Sequence, residues 1–314
     1  MAVMMIANLH QFYRENLKHT FLGPIVRFTV NTLSDPGYPY RALCQGMSRR
    51  QHALHLFFHR LRYVSRYQKR KFRLAVTWLF TSRETENFTY DITQQNRRYL
   101  AEILAVAFDR PTAEIEGYIA EADHDQDLRA TIRTTTQRYD HLNADDTALF
   151  GRRLGWYAAV RALKPKVLVE TGIDKGLGSV LLCAALLRNR AEGYPGYYYG
   201  TDINPAAGYL LQPPYAETGK VLYGDSLESL AALDKHIDLF INDSDHSAAY
   251  EAREYDLIAD KLSPNAVILG DNAHLTTALA DFSRRHGRHF LFFREEPVGH
   301  WYAGAGIGIS YPKR

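Results

Sequence analysis

Lys166–Ser179 reads KVLVETGIDKGLGS. Val167–Val169 is apolar, enough for the end of a buried strand. Glu170 and three glycines (Gly172, Gly176, Gly178) follow, and Val180–Leu187 is an apolar run of helical character. Strand, glycine-rich turn and helix form the opening unit of a nucleotide-type site in a doubly wound sheet. Glycine serves there because the backbone takes unusual φ values and a ligand comes close. The spacing is E-x-G-x-x-x-G-x-G, not the G-x-G-x-x-G of dinucleotide sites, which suits a ligand without a pyrophosphate. An ordinary tight turn between strand and helix is the plain alternative.

Beyond this stretch, strands and helices alternate. The pattern predicts strands over Val167–Thr171, Tyr197–Asp202, Lys220–Gly224, Ile237–Asn242 and Ala266–Gly270, and helices over Ser226–Leu233, Ala248–Leu262 and Thr276–Arg285. Short apolar runs separated by helices imply parallel strands with right-handed crossovers. His289–Arg294 and Gly304–Tyr311 have no helix between them and predict a closing antiparallel pair. The expected fold class is α/β: a doubly wound, mostly parallel sheet with an antiparallel C-terminal strand pair and a helical N-terminal region.

Ligands of open α/β sheets bind beyond the carboxyl ends of the strands. Those ends carry acids in turn: Glu170, Asp202, Asp225, Asp243 and Asp271. One such acid is as readily a helix cap; five in register point to a site. Asp202, in GTDINP, is placed to accept hydrogen bonds from a ribose diol. Asp225 and Ser226, in YGDS, reach an adenine edge or cap a helix. The later ends read NDSDHS (Asn242–Ser247) and GDNAH (Gly270–His274). Oxygen ligands from Asp243, Asp271 and Asn272 would suit Mg²⁺. His246, three residues past Asp243, is positioned as a general base, with an ordinary pKa near ~6.5; packing at a helix N-terminus is its structural alternative.

The chain before about residue 145 reads as helical, over His52–Tyr67 (one face buried), Gln94–Phe108, Thr112–Ala122, Leu128–Thr136 and Thr147–Leu163, the last capped from Asn143–Asp146. The 314 residues carry a net charge of +3, unevenly spread: residues 1–100 hold 16 Lys and Arg against 5 Asp and Glu, and the remainder 22 against 30. A basic face of this kind is a solvated surface, or meets an acidic partner or a membrane periphery. The densest cluster, Arg66–Arg73, sits in no recognised nucleic-acid module, so nucleic acid is not expected; docking on its own domain or a second subunit, as in a homo-oligomer, is. No signal peptide or membrane-spanning run is read, and Cys44 and Cys183 are expected as reduced thiols in a cytoplasmic protein. Trp301 and Tyr302, between the last two strands, are candidates for the mouth of a substrate site or for an aromatic corner of the core.

Together these residues resemble the class I S-adenosylmethionine-dependent methyltransferases, and more narrowly the metal-dependent small-molecule O-methyltransferases of the catechol and macrolide-sugar type. The resemblance covers about Asn143–Tyr311. ETGIDKG is similar to the family's first motif, which implies that Glu170, Gly172, Asp174 and Gly176 cradle the methionine part of the cofactor. The family usually has Ser two places after that motif's last conserved Gly; here the place is Gly178, and Ser179 follows as the candidate. DINP is similar to the second motif, with Asp202 on the ribose, and YGDS (Asp225, Ser226) to the adenine-side loop. NDSDHS resembles the family's DGDHS element and GDN its Asp-Asn pair; the 28-residue step from Asp243 to Asp271 agrees with that pairing. His246 falls where the catechol enzyme has its lysine base.

The resemblance implies a catalytic, cofactor-binding domain over 143–314 and a helical region over 1–142 that acts as lid, dimerisation arm or substrate-recognition element. It implies S-adenosylmethionine as cofactor, Mg²⁺ on Asp243, Asp271 and Asn272, a hydroxylated small molecule as substrate, and His246 with Asp243 as the catalytic pair. Three rivals stay open: a methyltransferase without metal, a nicotinamide-dependent oxidoreductase, and a non-catalytic binding protein with a basic N-terminal region.

Overall fold

The computed structural model of the protein describes residues 49–313; Cys44 and the first part of the basic N-terminal third lie outside the described residues. The chain divides into two compact units, after Phe72. Helix α1, Arg49–Thr81, begins in the first. Phe57, Leu61 and Val64 on it are 50–58% exposed, so among the described residues the buried face expected of His52–Tyr67 is not formed. The described part of that unit is this helix alone, and a helix needs a second apolar surface to bury its own.

The second unit is the α/β body. A short strand β1 (Asp91–Ile92) leads into helices α2 (Gln94–Phe108), α3 (Thr112–His124) and α4 (Gln126–Tyr139). Thr93 starts α2 by accepting a hydrogen bond from the Asn96 amide, and Asp125 starts α4 by accepting one from Leu128. Leu100, Leu104, Ile115 and Ile119 bury the inner faces of α2 and α3, which pack on α5 (Arg153–Leu163). The predicted cap at Asn143–Asp146 does not start α5. Asp145 instead accepts from the Ser82 hydroxyl and the Arg83 amide. The chain then turns at Gly151, whose φ of +51° and contact with the Tyr90 ring leave no room for a side chain.

The sheet follows with β2 (Val167–Thr171), α6 (Leu177–Ala191), β3 (Tyr197–Asp202), β4 (Gly219–Tyr223), α7 (Ser226–Ala232), β5 (Ile237–Asn242), α8 (Ala248–Ile258), β6 (Leu262–Gly270), α9 (Ala278–Arg285), β7 (Arg288–Arg294), β8 (Pro297–Val298) and β9 (Gly306–Pro312). Seven strands lie in the order β4-β3-β2-β5-β6-β9-β7. Pairing is parallel from β4 through β6, and antiparallel where β9 enters between β6 and β7. The two-residue β1 and β8 pair separately, tying the start of the helical segment to the C-terminal strands. This is the mostly parallel, doubly wound sheet with an antiparallel C-terminal pair that the sequence pattern predicts.

Register decides what faces the carboxyl edge. Thr171 pairs with Thr201 and Asn242, and Asn242 with Gly270. One residue further along each strand, Asp202, Gly172, Asp243 and Asp271 therefore stand side by side. Backbone bonds carry the ladder into this row: the Gly172 amide donates to Thr201, Asp243 to Thr171, and Asp271 to Asn242. Glu170 lies two places back, at the level of Gly200 and Ile241.

Gly172 is fixed by two requirements at once. Its φ is +76°, and a Cβ there would overlap the carbonyl oxygen of Asp243. Gly172→Ala is expected to cost about 3 kcal/mol in chemical denaturation, from strain plus overpacking. Gly193→Ala, also at positive φ but facing open space, is expected to cost only about 1 kcal/mol. Equal losses would mean that the contact with Asp243 is not what demands glycine.

Candidate active site

The row of strand ends opens onto a cavity of about 790 Å³, within the size range of small-molecule sites. Gly172, Asp174, Asp202, Asp225, Ser226, Asp243, Asp271 and Asn272 line it, so eight of the residues singled out in the sequence meet in one place. Glu170, Gly176, Ser179 and His246 do not line it. Further lining comes from outside the expected motifs, the segment 85–88 with Tyr90 and the pair Arg152 and Arg153, from Lys175 within the glycine turn, and from Tyr302, one of the two aromatics expected at the mouth. Trp301 is not on the wall; its ring packs on Trp78, 5.2 Å between centroids.

The acids at β3 and β4 organise backbone as well as facing the cavity. Asp202 accepts from the amides of Ile173 and Asp174 at 3.1 and 3.0 Å, and from Asn204 at 2.8 Å, which clamps the turn after β2 to the end of β3. Asp225 starts α7 by accepting from the Leu227 amide, and also accepts from the Tyr250 hydroxyl at 2.9 Å. The Ser226 hydroxyl donates to Glu254 at 2.5 Å. Gly176 starts α6 at φ +91° and faces Gly208, where the segment after β3 crosses the turn.

Glu170 is buried beneath the row. Its carboxylate accepts from the Ser179 hydroxyl at 2.8 Å and from the Tyr198 hydroxyl. A Cβ at Gly178 would overlap the Glu170 carboxylate and come within 2.7 Å of the Trp156 ring. Glu170 and Ser179 thus hold the strand–helix corner together from below, and the absence of a side chain at Gly178 makes room for them. Burial pushes the Glu170 carboxyl up to about 7, despite the two hydroxyl donors.

At β5 and β6 two carboxylates converge. Asp243, His246 and Asp271 bring one ligating atom each to within 4.8 Å of one another. Burial, then the neighbouring charge of Asp271, pushes the Asp243 carboxyl well above the usual carboxylate range. Two acids this close do not both ionise readily without a cation. Burial works the same way on Asp271, but Arg152 outweighs it and holds that carboxyl low. Arg152 Nε donates to Asp271 Oδ1 at 2.5 Å and Nη2 to Oδ2, while Nη1 donates to Glu295 at 2.9 Å and to the Tyr90 hydroxyl. Tyr90 in turn donates to Glu295 at 2.8 Å. This buried guanidinium is fully partnered, as its burial requires.

His246 differs from expectation. Its ring lies beside Asp243 (3.6 Å) and Glu251 (3.5 Å), with Asn272 Nδ2 at 2.9 Å from Nε2. Burial works to depress its pKa, but the carboxylates outweigh burial and push it up to about 10. The ring thus touches Asp243, Asn272 and Glu251 together, beside the cavity rather than on its wall.

A hard divalent cation fits this end by donor type: Asp243, Asp271 and the neighbouring Asn272 supply oxygens, and a cation would relieve the repulsion that keeps a proton on Asp243. Arg152 already occupies one edge of Asp271. An adenosyl cofactor fits the other end, where Asp202 and Asp225 face the cavity and Gly224, φ +142°, has open space where a side chain would be.

Residues 169–273 match the family described as "Methyltransferase domain", about a third of the chain and the span from the first glycine turn to Asn272. No curated protein matches the chain in sequence. Among solved structures, the chain is similar to the methyltransferase PaMTH1 of Podospora anserina, with S-adenosylhomocysteine bound, at 17% identity over 62% of this chain and 93% of that one, TM-score 0.44. It is similar to the O-methyltransferase TomG of Streptomyces achromogenes, in complex with S-adenosylmethionine, at 14% identity over 60% and 91%, TM-score 0.44. An O-methyltransferase of Bacillus cereus in complex with S-adenosylhomocysteine aligns at 13% identity over 63% and 100%, TM-score 0.40. Residues 169–273 are thus similar to a methyltransferase domain, and they fall within the doubly wound, mostly parallel sheet.

Glu170 makes the corner sensitive to pH. Its folded pKa lies above its ordinary value, so its own contribution to stability is fully present below pH 4.5 and is lost as pH rises through about 7. The loss over that window is on the order of 3 kcal/mol. Glu170→Gln is expected to remove this part of the slope in melts between pH 4.5 and 7. An unchanged slope would mean that the buried carboxyl is not its source.

Proposed function

We propose that the methyltransferase domain of this chain uses S-adenosylmethionine to methylate a hydroxyl oxygen of a small molecule. The observation that carries the reading is the register: one row of strand ends brings Asp202, Gly172, Asp243 and Asp271 onto a single cavity, with Asp225 beside it. The bound cofactor would supply a sulfonium methyl group, which passes to the substrate oxygen while the C–S electron pair stays on sulfur and the hydroxyl proton leaves to a base.

The chain's own residues divide that work. Asp202 and Asp225 face the end where ribose and adenine would lie. Asp243 and Asp271 receive the substrate hydroxyl, and the Asp243 carboxylate, freed of the proton it shares with Asp271, takes the hydroxyl proton. Mg²⁺ on Asp243, Asp271 and Asn272 would lower the pKa of the hydroxyl and displace that shared proton. His246 holds Asp243 and Asn272 in place. Phe88, Tyr90 and Tyr302 give the substrate side an aromatic wall; in this reading the helical region 1–142 contributes to substrate recognition through its segment 85–90.

A second reading, transfer without metal, is favoured by Arg152. Its guanidinium already neutralises Asp271 and cannot lose its proton. Turnover measured with S-adenosylmethionine and a panel of catechols and hydroxylated sugars, with chelator or with added Mg²⁺, separates the two. The first reading predicts loss of activity in chelator and recovery with Mg²⁺; the second predicts no change.

Under both readings Asp243→Asn is expected to lower kcat by about a hundredfold or more while leaving S-adenosylhomocysteine affinity within a few-fold. In the reading without metal, activity should rise with pH as Asp243 loses its proton, with a midpoint above the usual carboxylate range. Full activity in Asp243→Asn would remove Asp243 from the chemistry, and failure of the native protein to bind S-adenosylhomocysteine would remove the cofactor.

A further inference from the structure

The amino-acid end of an adenosyl thioether cofactor carries a carboxylate, and the cavity wall is dominated by carboxylates. An anion enters such a site only where a cation is available to it. Lys175, Arg152 and Arg153 are the cationic side chains on the wall. Lys175 is paired with Asp140 at 3.0 Å and lies over the Phe88 ring. Arg152 is committed to Asp271, Glu295 and Tyr90. Arg153 differs: among the described residues no carboxylate lies within ion-pair distance of it, and its Nε is buried without a hydrogen-bond partner.

Its position is also defined. The guanidinium sits 5.6 Å from the centre of the Trp156 ring. That ring packs against Gly178, beside the Glu170 carboxylate under the glycine turn. The charge of Arg153 also acts on Glu170, Asp243 and Asp271, which places it at the β2, β5 and β6 ends of the cavity. A base in the first turn of α5 opposes the helix dipole, and α5 has no acid in that turn. Arg153 thus contributes nothing evident to the helix it starts.

We propose that Arg153 is the anchor for the cofactor's carboxylate, taking the part that Ser179 cannot take because its hydroxyl is bound to Glu170. The proposal rests on the reading of the cavity as an adenosyl site, and the test separates the two. Calorimetry on the full chain compares S-adenosylhomocysteine with 5′-methylthioadenosine, which has the adenosyl thioether and lacks the amino-acid end. Arg153→Met keeps an apolar stem on Trp156 and removes the charge; it is expected to weaken S-adenosylhomocysteine about ten- to a hundredfold, the range for a charge-assisted hydrogen bond. Affinity for 5′-methylthioadenosine should stay within a factor of about two to three, which also reports that the variant is folded. Arg153→Lys should recover part of the loss. Unchanged S-adenosylhomocysteine binding in Arg153→Met, or equal losses for both ligands, would overturn the assignment. If the native protein binds neither ligand, the adenosyl reading fails first and the anchor fails with it.

Discussion

In a parallel sheet neighbouring strands advance in step, so residues one place beyond the last pairs share a level and a face. Here that level holds Asp202, Gly172, Asp243 and Asp271. Everything proposed for the site follows from it. Gly172 has to be small and at positive φ because Asp243 crosses directly beside it. Asp202 can clamp the turn after β2 because it stands next to it. Asp243 and Asp271 meet because no strand separates β5 from β6.

Clustering acids in this way has an electrostatic cost, and the structure offsets it differently at each point. Glu170, under the row, is satisfied by two hydroxyls and has its pKa raised by burial. Asp271 is neutralised by Arg152, which Glu295 and Tyr90 hold from behind. Asp243 has its carboxyl pushed up by burial and then by the neighbouring Asp271, with His246 at 3.6 Å. One site thus remains open to exchange its proton for a substrate hydroxyl or a metal ion, beside Arg153, whose Nε is buried without a hydrogen-bond partner.

Much of this was legible in the sequence, and the reason is locality. The helix over Gln94–Phe108 and the strands over Val167–Thr171, Tyr197–Asp202 and Ile237–Asn242 fall where periodicity puts them, because each is set by its own run of residues. Glu170 was read as one of the strand-end acids, but its level is fixed by pairing with β3 and β5, which one strand's sequence does not contain. The share of the wall that Tyr90 and Arg152 supply was illegible for the same reason. Arg152 reaches Asp271 across 119 residues and Tyr90 reaches Glu295 across 205. One local signal was present: two arginines at the start of an apolar helix, where the dipole favours acids, ask for anions from elsewhere. His246 shows the converse limit. Its spacing from Asp243 is right for a base, and only the third dimension adds Asn272 and Glu251 around its ring.

The central claim is that one crevice at the strand ends holds an adenosyl cofactor at one end and the reacting oxygen at the other. The density of S-adenosylhomocysteine in crystals of this protein tests it most directly. The account predicts the adenosine beside Asp202 and Asp225, the amino-acid end at the turn after Gly172, and the sulfur facing Asp243 and Asp271. Ligand density at another surface, or an adenosine lying against Asp243 and Asp271, would contradict it.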